Sequence, residues 1–165
     1  MTAYDSAGWD GFGTTAATAA ATLTGLLFIA VSINLRQILH YRPLPGRAAQ
    51  TLIFFALPLI FALILIVPAQ SRGALGGELI ATAVVGVAIS LVIDHRAGRS
   101  AAEPSWSRLA TRTVPMTGSC ACVIVAGASL VAQAGGGLYW LVPATVFMIV
   151  AGLVNTWVLL VEILR

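Results

Sequence analysis

The longest uncharged run of the sequence covers residues 113–161, a stretch of 49 residues with no Asp, Glu, Lys or Arg. A helix needs about 20 residues to cross the roughly 30 Å hydrocarbon core of a bilayer, so this run is too long for one span. Three consecutive glycines at 135–137 interrupt it where a tight turn is expected. The run therefore predicts two membrane-spanning helices, at about residues 114–133 and 138–164.

Two further uncharged stretches lie earlier in the chain, at residues 11–35 and 48–71. Each is long enough for one span, and they predict helices at about 13–36 and 50–69. The remaining apolar segment, at about 77–94, has only 15 residues between its flanking acids. That length is below the usual range for a span, so the loop charges have to decide whether it crosses.

The nine basic residues are all arginine, and basic residues collect in cytoplasmic loops. If the 77–94 segment crosses, eight arginines share one side and only Arg72 lies opposite. If it does not cross, the division is three against six. The first division fits the rule, so the sequence predicts an all-α integral membrane protein. It is a single domain over 1–165, a five-transmembrane-helix bundle with its N-terminus outside and its C-terminus inside.

Hydrophobic residues make up 59% of the chain and charged residues 9%, against about a quarter charged in soluble domains. The arginines are spread singly over the loops and form no basic stripe, so nucleic acid is not an expected partner. The expected environment is the lipid bilayer, in the plasma (inner) membrane of a bacterium.

The chain between the first two spans reads SINLRQILHYRPLPGR, at residues 32–47. Arg36 is expected to reach from the end of the first helix to the headgroups. Pro43, Pro45 and Gly46 are expected to stop that helix and turn the chain toward the second span.

The first span carries a stripe of mostly small or polar residues at alternating spacings of three and four. We call this set the seam; its members are Thr15, Thr18, Thr22, Gly25, Ile29, Ser32 and Arg36. The spacing is the heptad period of left-handed helix packing, and small residues mark where membrane helices approach closely. Two interpretations stay open. The seam packs against another span of the same chain, or it lines a pore or forms the interface of a homo-oligomer.

Small or polar residues recur every four positions in the third span, at Thr82, Gly86, Ser90 and Asp94. This is the small-xxx-small pattern of close helix crossing. Asp94 is expected to pair with Arg36 or Arg96 at the membrane edge, with ion coordination as the alternative.

Asn34, Asn155 and Glu162 are the other polar candidates within or near the spans. Asn155 lies deepest and is expected to form a hydrogen bond to a neighbouring helix. Glu162 lies on the same helical face as Arg165, so it is expected at the membrane interface.

Residues 69–86 and 132–152 resemble each other, since each follows a span, begins Ala-Gln, passes through glycines and starts another span. If they form a parallel repeat, Gln70 and Gln133 are equivalent. Parallel repeats occur in transporters, but any two glycine-turned membrane hairpins share these features. Duplication and chance both stay open.

The sequence shows no nucleophile–base pair and no cluster of metal ligands. Cys120 and Cys122 point about 200° apart on a helix, so they cannot share a metal and are interpreted as packing residues. No catalytic residue, cofactor or metal is therefore expected. An enzyme acting on a lipid or quinone is the third of three hypotheses.

The stretches AATLTGLLFIAVSINLRQIL, LPGRAAQTL and LIVPAQ fall within roughly the first 70 residues. They resemble small actinobacterial multi-pass membrane proteins that are labelled modulators of the membrane protease FtsH. The resemblance contains no catalytic signature. It implies a multi-pass membrane protein with a role beside a membrane protease.

The first functional hypothesis is a homo-oligomeric pore or transport protein, because the seam is rich in hydroxyls and the loops are too short to form a soluble domain. The alternative is a non-catalytic accessory or regulatory subunit that docks on a larger membrane complex such as a protease. The expected partner is accordingly a second copy of the chain or a larger membrane protein.

Overall fold

The computed structural model describes residues 3–40, 44–98 and 109–163, and these residues form helices and turns without a strand. The α-helices are α1 Asp10–Ile33, α2 Leu35–His40, α3 Leu44–Leu65, α4 Arg72–Gly98, α5 Val114–Ala132 and α6 Leu141–Ile163. Shorter elements are the 3-10 helices Ser6–Gly8 and Gly137–Trp140 and a π-helical turn, Leu109–Thr113.

Five helical stretches are long and apolar enough to cross a membrane. They are Asp10–Ile33, Leu44–Leu65, Arg72–Arg96, Leu109–Ala132 and Gly137–Val161. The predicted all-helical architecture with five possible spans is confirmed, and insertion into a membrane and its direction stay predictions.

The uncertain third span is the longest helix of the described residues, since α4 covers 27 residues. The predicted limits of this span, 77–94, were set by the acids Glu78 and Asp94. They are narrower than the helix, which extends beyond both acids. Both acids lie within the helix. They are tolerated there because side chains near the ends of a span can reach the polar interface.

The connection between the first two spans differs from the prediction. The first helix ends at Ile33, and Asn34 separates it from α2. Pro45 and Gly46 do not stop a helix, because both lie in the first turn of α3. Proline is accommodated there since the first N–H groups of a helix have no partner within it. Pro43 lies outside the described residues.

Helix α3 is the centre of the bundle and packs against α1, α4 and α6, while α5 packs between α4 and α6. Glycines let large side chains of α3 approach closely. A Cβ at Gly86 of α4 would lie 2.7 Å from Leu57, and Gly152 of α6 faces Phe55 in the same way. The interior between these helices is filled by buried side chains, which include Phe54, Phe61, Met116 and Met148.

Helices α4 and α5 approach most closely at two glycines. A Cβ at Gly76 would lie 2.8 Å from the carbonyl oxygen of Gly127, and a Cβ at Gly127 would lie 2.6 Å from that of Gly76. Because neither residue has a side chain, the two backbones are in direct contact here.

The segment before α1 covers one end of the bundle, which we call the N-terminal end. Leu138 donates its backbone N–H to the carbonyl of Ala3 at 2.8 Å, and the Nε of Arg72 donates to the carbonyl of Tyr4 at 2.9 Å. Trp9 packs edge-on against Tyr139 with ring centroids 5.1 Å apart. The start of the chain is thereby fixed to both hairpins.

The two turns at this end differ in conformation. In the first, Ala69 is the residue with positive φ, whereas in the second it is Gln133, followed by three glycines with positive φ. The positions that a repeat makes equivalent, Gln70 and Gln133, therefore have different backbone conformations. The structure gives the proposed duplication no support at this point.

Candidate functional site

The seam faces away from the bundle. All seven of its residues are exposed, and α1 packs on α3 through a different face, formed by Gly13, Ala16, Ala20 and Leu27. The interpretation that the seam packs against another span of the same chain is therefore wrong. In a membrane span the outward and the inward faces are both apolar. The spacing of small residues therefore did not show which face of α1 contacts α3.

The hydroxyl groups of the seam are hydrogen-bonded within their own helix. Each donates to the carbonyl four residues earlier at 2.8 Å, from Thr15 to Gly11, Thr18 to Thr14, Thr22 to Thr18 and Ser32 to Phe28. Such bonds satisfy a hydroxyl in hydrocarbon without water. Arg36 lies on α2, beyond the break at Asn34, so the seam follows one continuous helix only as far as Ser32.

At the opposite end of the bundle, polar side chains from three elements meet around Gln50. The Nε2 of Gln50 donates to the Oγ of Ser90 at 2.7 Å and to the Oδ2 of Asp94 at 3.3 Å. The same oxygen of Asp94 accepts the hydroxyl of Thr113 at 3.3 Å. We call Gln50, Ser90, Asp94 and Thr113 the Gln50 cluster, and this end the arginine end. The cluster ties the start of α3 to the end of α4 and to the π-helical turn.

The predicted pairing of Asp94 with Arg36 or Arg96 is wrong. Within the described residues the carboxylate binds the amide of Gln50 and the hydroxyl of Thr113 instead. The i+4 pattern of the third span does point inward: Gly86 and Ser90 are buried against α3, and Thr82 is half-buried.

Two oxygens of the Gln50 cluster are buried without a hydrogen-bond donor in the described part of the chain: Oε1 of Gln50 and Oδ1 of Asp94. The amide orientation is set by Asp94, because a carboxylate accepts from Nε2 and not from Oε1. A buried acceptor without a donor costs about 1–3 kcal/mol. These oxygens are therefore where the cluster can accept a hydrogen bond from a water molecule.

Two arginines lie inside the arginine end. Arg47 is 5% exposed in the first turn of α3, and Arg112 is 2% exposed in the π-helical turn. Both arginines were predicted to lie in loops between the spans. A buried guanidinium requires partners, and neither residue lacks one. No feature of the sequence distinguishes these two arginines from the exposed Arg36 and Arg96.

Asn155 joins the last helix to the same end. Its Nδ2 donates to the carbonyl of Thr111 in the π-helical turn and to that of Ala151 in its own helix, both at 2.9 Å. The predicted hydrogen bond between helices is therefore confirmed. A π-helical turn leaves carbonyls without their usual i+4 partner, and Thr111 offers one to Asn155.

The remaining polar candidates have local roles or lie outside the description. The Nδ2 of Asn34 donates to the carbonyl of Ala30 at 2.9 Å, which caps the end of α1. Glu162 lies in the last turn of α6, and its side chain is outside the described residues. Cys120 is buried and Cys122 is half-buried, and neither forms a disulfide. Among the described residues no three His, Cys, Asp or Glu side chains are grouped as a metal site would require.

Comparison of the chain with family models, with curated proteins and with solved structures gives no match.

Proposed function

We propose that the protein is a self-assembling membrane protein in which α1 forms the interface between copies of the chain. The observation that carries this proposal is the exposure of the whole seam, on the face of α1 opposite to the one that contacts α3. No hydrophobic driving force acts between helices in lipid, so association depends on close approach at small residues. The exposed Gly25, whose missing Cβ would meet nothing within 4 Å, leaves room for such an approach.

The proposed activity is passage of an ion or small solute between the copies. A route through a single chain would have to cross the aromatic and methionine side chains that fill its interior. An assembly centred on α1 would instead surround a path with the hydroxyls of Thr15, Thr18, Thr22 and Ser32. These hydroxyls can turn from their own carbonyls to water or to an ion, at little cost to the helix.

A second candidate is an accessory subunit whose α1 docks on a helix of a larger membrane complex. It is favoured by the 2.8 Å bonds of the seam hydroxyls, because a face satisfied internally can pack dry against another helix. The resemblance of the first 70 residues to proteins labelled as modulators of a membrane protease supports the same candidate.

Native mass spectrometry of the protein released from lipid nanodiscs tests these proposals. A closed assembly of several copies is expected for the wild type, with monomers for Thr22→Leu, whose larger side chain would separate two seams. The control is Ala81→Leu, at an exposed position of α4 outside the seam. If the wild type is monomeric, the proposal of self-assembly is wrong.

A flux assay in liposomes separates transport from assembly. The wild type is expected to pass a small ion or solute, and Thr18→Leu is expected to block it. An assembled wild type that passes none of the ions and small solutes tested contradicts the pore. A monomer that co-purifies with a larger membrane protein, and loses it on Gly25→Leu, supports the accessory subunit.

A further inference from the structure

An apolar groove lies at the arginine end, between the last turns of α1, the short helix α2 and the first turns of α3. Its volume is about 240 Å³. We call it the α2 groove; it is lined by Leu27, Phe28, Val31, Leu35, Ile38, Leu39, Pro45, Ala48, Ala49 and Leu52. Every lining residue is apolar, so a bound group would be held by apolar contacts rather than by hydrogen bonds.

The helix α2 forms one wall of the groove and separates apolar from polar side chains. Leu35, Ile38 and Leu39 line the groove, and Ile38 anchors the helix because it is only 2% exposed. Arg36 and Gln37 are exposed and do not line it. The break at Asn34 produces this arrangement, since it ends α1 and lets α2 start as a separate helix. A short amphipathic helix of this kind suits the boundary between headgroups and acyl chains.

Charge identifies the class of molecule that fits. From residue 11 to residue 77 the sequence contains no Asp or Glu, and the exposed Arg36 directly follows the groove residue Leu35. A molecule with an apolar chain and an anionic head therefore meets an apolar channel next to exposed positive charge. Arginine binds phosphate oxygens through paired N–H donors.

We infer that the α2 groove binds one acyl chain of an anionic phospholipid, with the phosphate on the guanidinium of Arg36. The groove holds part of the chain, and the remainder lies along α1 and α3 in the bilayer. The α1 residues that line the groove, Leu27, Phe28 and Val31, lie outside the seam. Arg36 is a member of the seam but lies on α2, beyond the break that ends its continuous part, so association of copies through α1 would leave the groove open.

Lipid retention in native mass spectrometry tests the inference. The protein is released from nanodiscs of equal parts phosphatidylglycerol and phosphatidylcholine with matched acyl chains, and retained lipid is identified by mass. The wild type is expected to retain the anionic lipid about fivefold over the zwitterionic one, the preference that one arginine near an anionic surface provides. Equal retention of the two lipids overturns the inference.

Two variants locate the site. Arg36→Gln is expected to lower the preference toward equality, and Arg96→Gln, an exposed arginine of α4 at the same end, is its control. Ala49→Phe is expected to fill the groove and reduce retention of both lipids, and Ala81→Phe on α4 is its control. If Ala49→Phe retains as much lipid as the wild type, the lipid does not lie in this groove. If a helix of a second copy occupied the groove, Ala49→Phe would change the oligomeric state and leave the lipid unchanged, which also overturns the inference.

Discussion

Substitution of Gly127 by alanine tests the backbone contact between α4 and α5. The added Cβ would lie 2.6 Å from the carbonyl oxygen of Gly76 and 2.8 Å from Cγ1 of Ile80. Favourable contacts between heavy atoms lie at about 3.5–4.0 Å, so α4 and α5 would have to separate by roughly 1 Å. Overpacking of this kind costs about 1–3 kcal/mol. The substitution also stabilises the helix by about 0.5–1 kcal/mol, because alanine loses less backbone entropy on folding than glycine does.

Gly118→Ala is the matched control, since Gly118 lies in the same helix and its missing Cβ would meet nothing within 4 Å. The entropy gain is common to both variants and cancels in their difference. We therefore expect Gly127→Ala to be about 1–3 kcal/mol less stable than Gly118→Ala.

The free energy of unfolding is measured by steric trapping in bicelles, with the same tags on both variants. The double variant Gly76→Ala with Gly127→Ala is expected to lose less than the sum of the single losses, because the first Cβ already separates the helices. A Gly127→Ala protein at least as stable as Gly118→Ala would refute the direct backbone contact between α4 and α5.

Three further outcomes follow from individual side chains. Ser119→Ala is expected to leave the free energy of unfolding unchanged or to raise it by up to about 1 kcal/mol, because this hydroxyl is buried without a hydrogen-bond partner among the described residues; a clear loss in an SDS titration would show a partner. Asn155→Leu is expected to lower that free energy by about 0.6–1.7 kcal/mol, whereas Thr156→Val is expected to change it less, because Thr156 bonds only its own helix. Equal losses in the two variants would contradict the role of the bond between helices. In single-cysteine variants, a small membrane-permeant maleimide is expected to label the half-buried Cys122 and to spare the buried Cys120; mass spectrometry of the labelled peptides would expose the opposite order.

The number of helices long and apolar enough to span a membrane could be predicted because it depends on length and on charge, and both are visible along the chain. Hydrocarbon excludes uncompensated charge, so uncharged runs mark the spans. The same rule misplaced the ends of α3 and α4. Arg47 and Asp94 carry charge and yet lie within helices, because each is buried or hydrogen-bonded at the arginine end.

The face of each helix could not be predicted in the same way. In water the apolar face of a helix turns inward, but in lipid both faces are apolar and the pattern carries less information. The i+4 pattern of α4 did lie against α3, at Gly86 and Ser90, whereas the seam of α1 faced outward. Both sets are small and regularly spaced. What separates them is the partner surface, since Leu57 and Gln50 of α3 contact the α4 pattern, whereas no residue in the described part of the chain buries the seam.

The hydrogen bond between Ala3 and Leu138 sets an order of events during biosynthesis. Residues 3–9 are synthesised long before residue 138, but some of their partners lie in the turn that joins α5 and α6. The bond from Arg72 to Tyr4 can form as soon as α4 has been made, whereas the contacts with Leu138 and Tyr139 have to wait for the hairpin of α5 and α6. Until then α1 is held mainly by α3, and its attachment at the N-terminal end is completed late. Complete closure of that end thus requires the hairpin of α5 and α6, and a chain truncated before residue 138 would keep the bond from Arg72 to Tyr4 but lose the bond from Leu138 to Ala3.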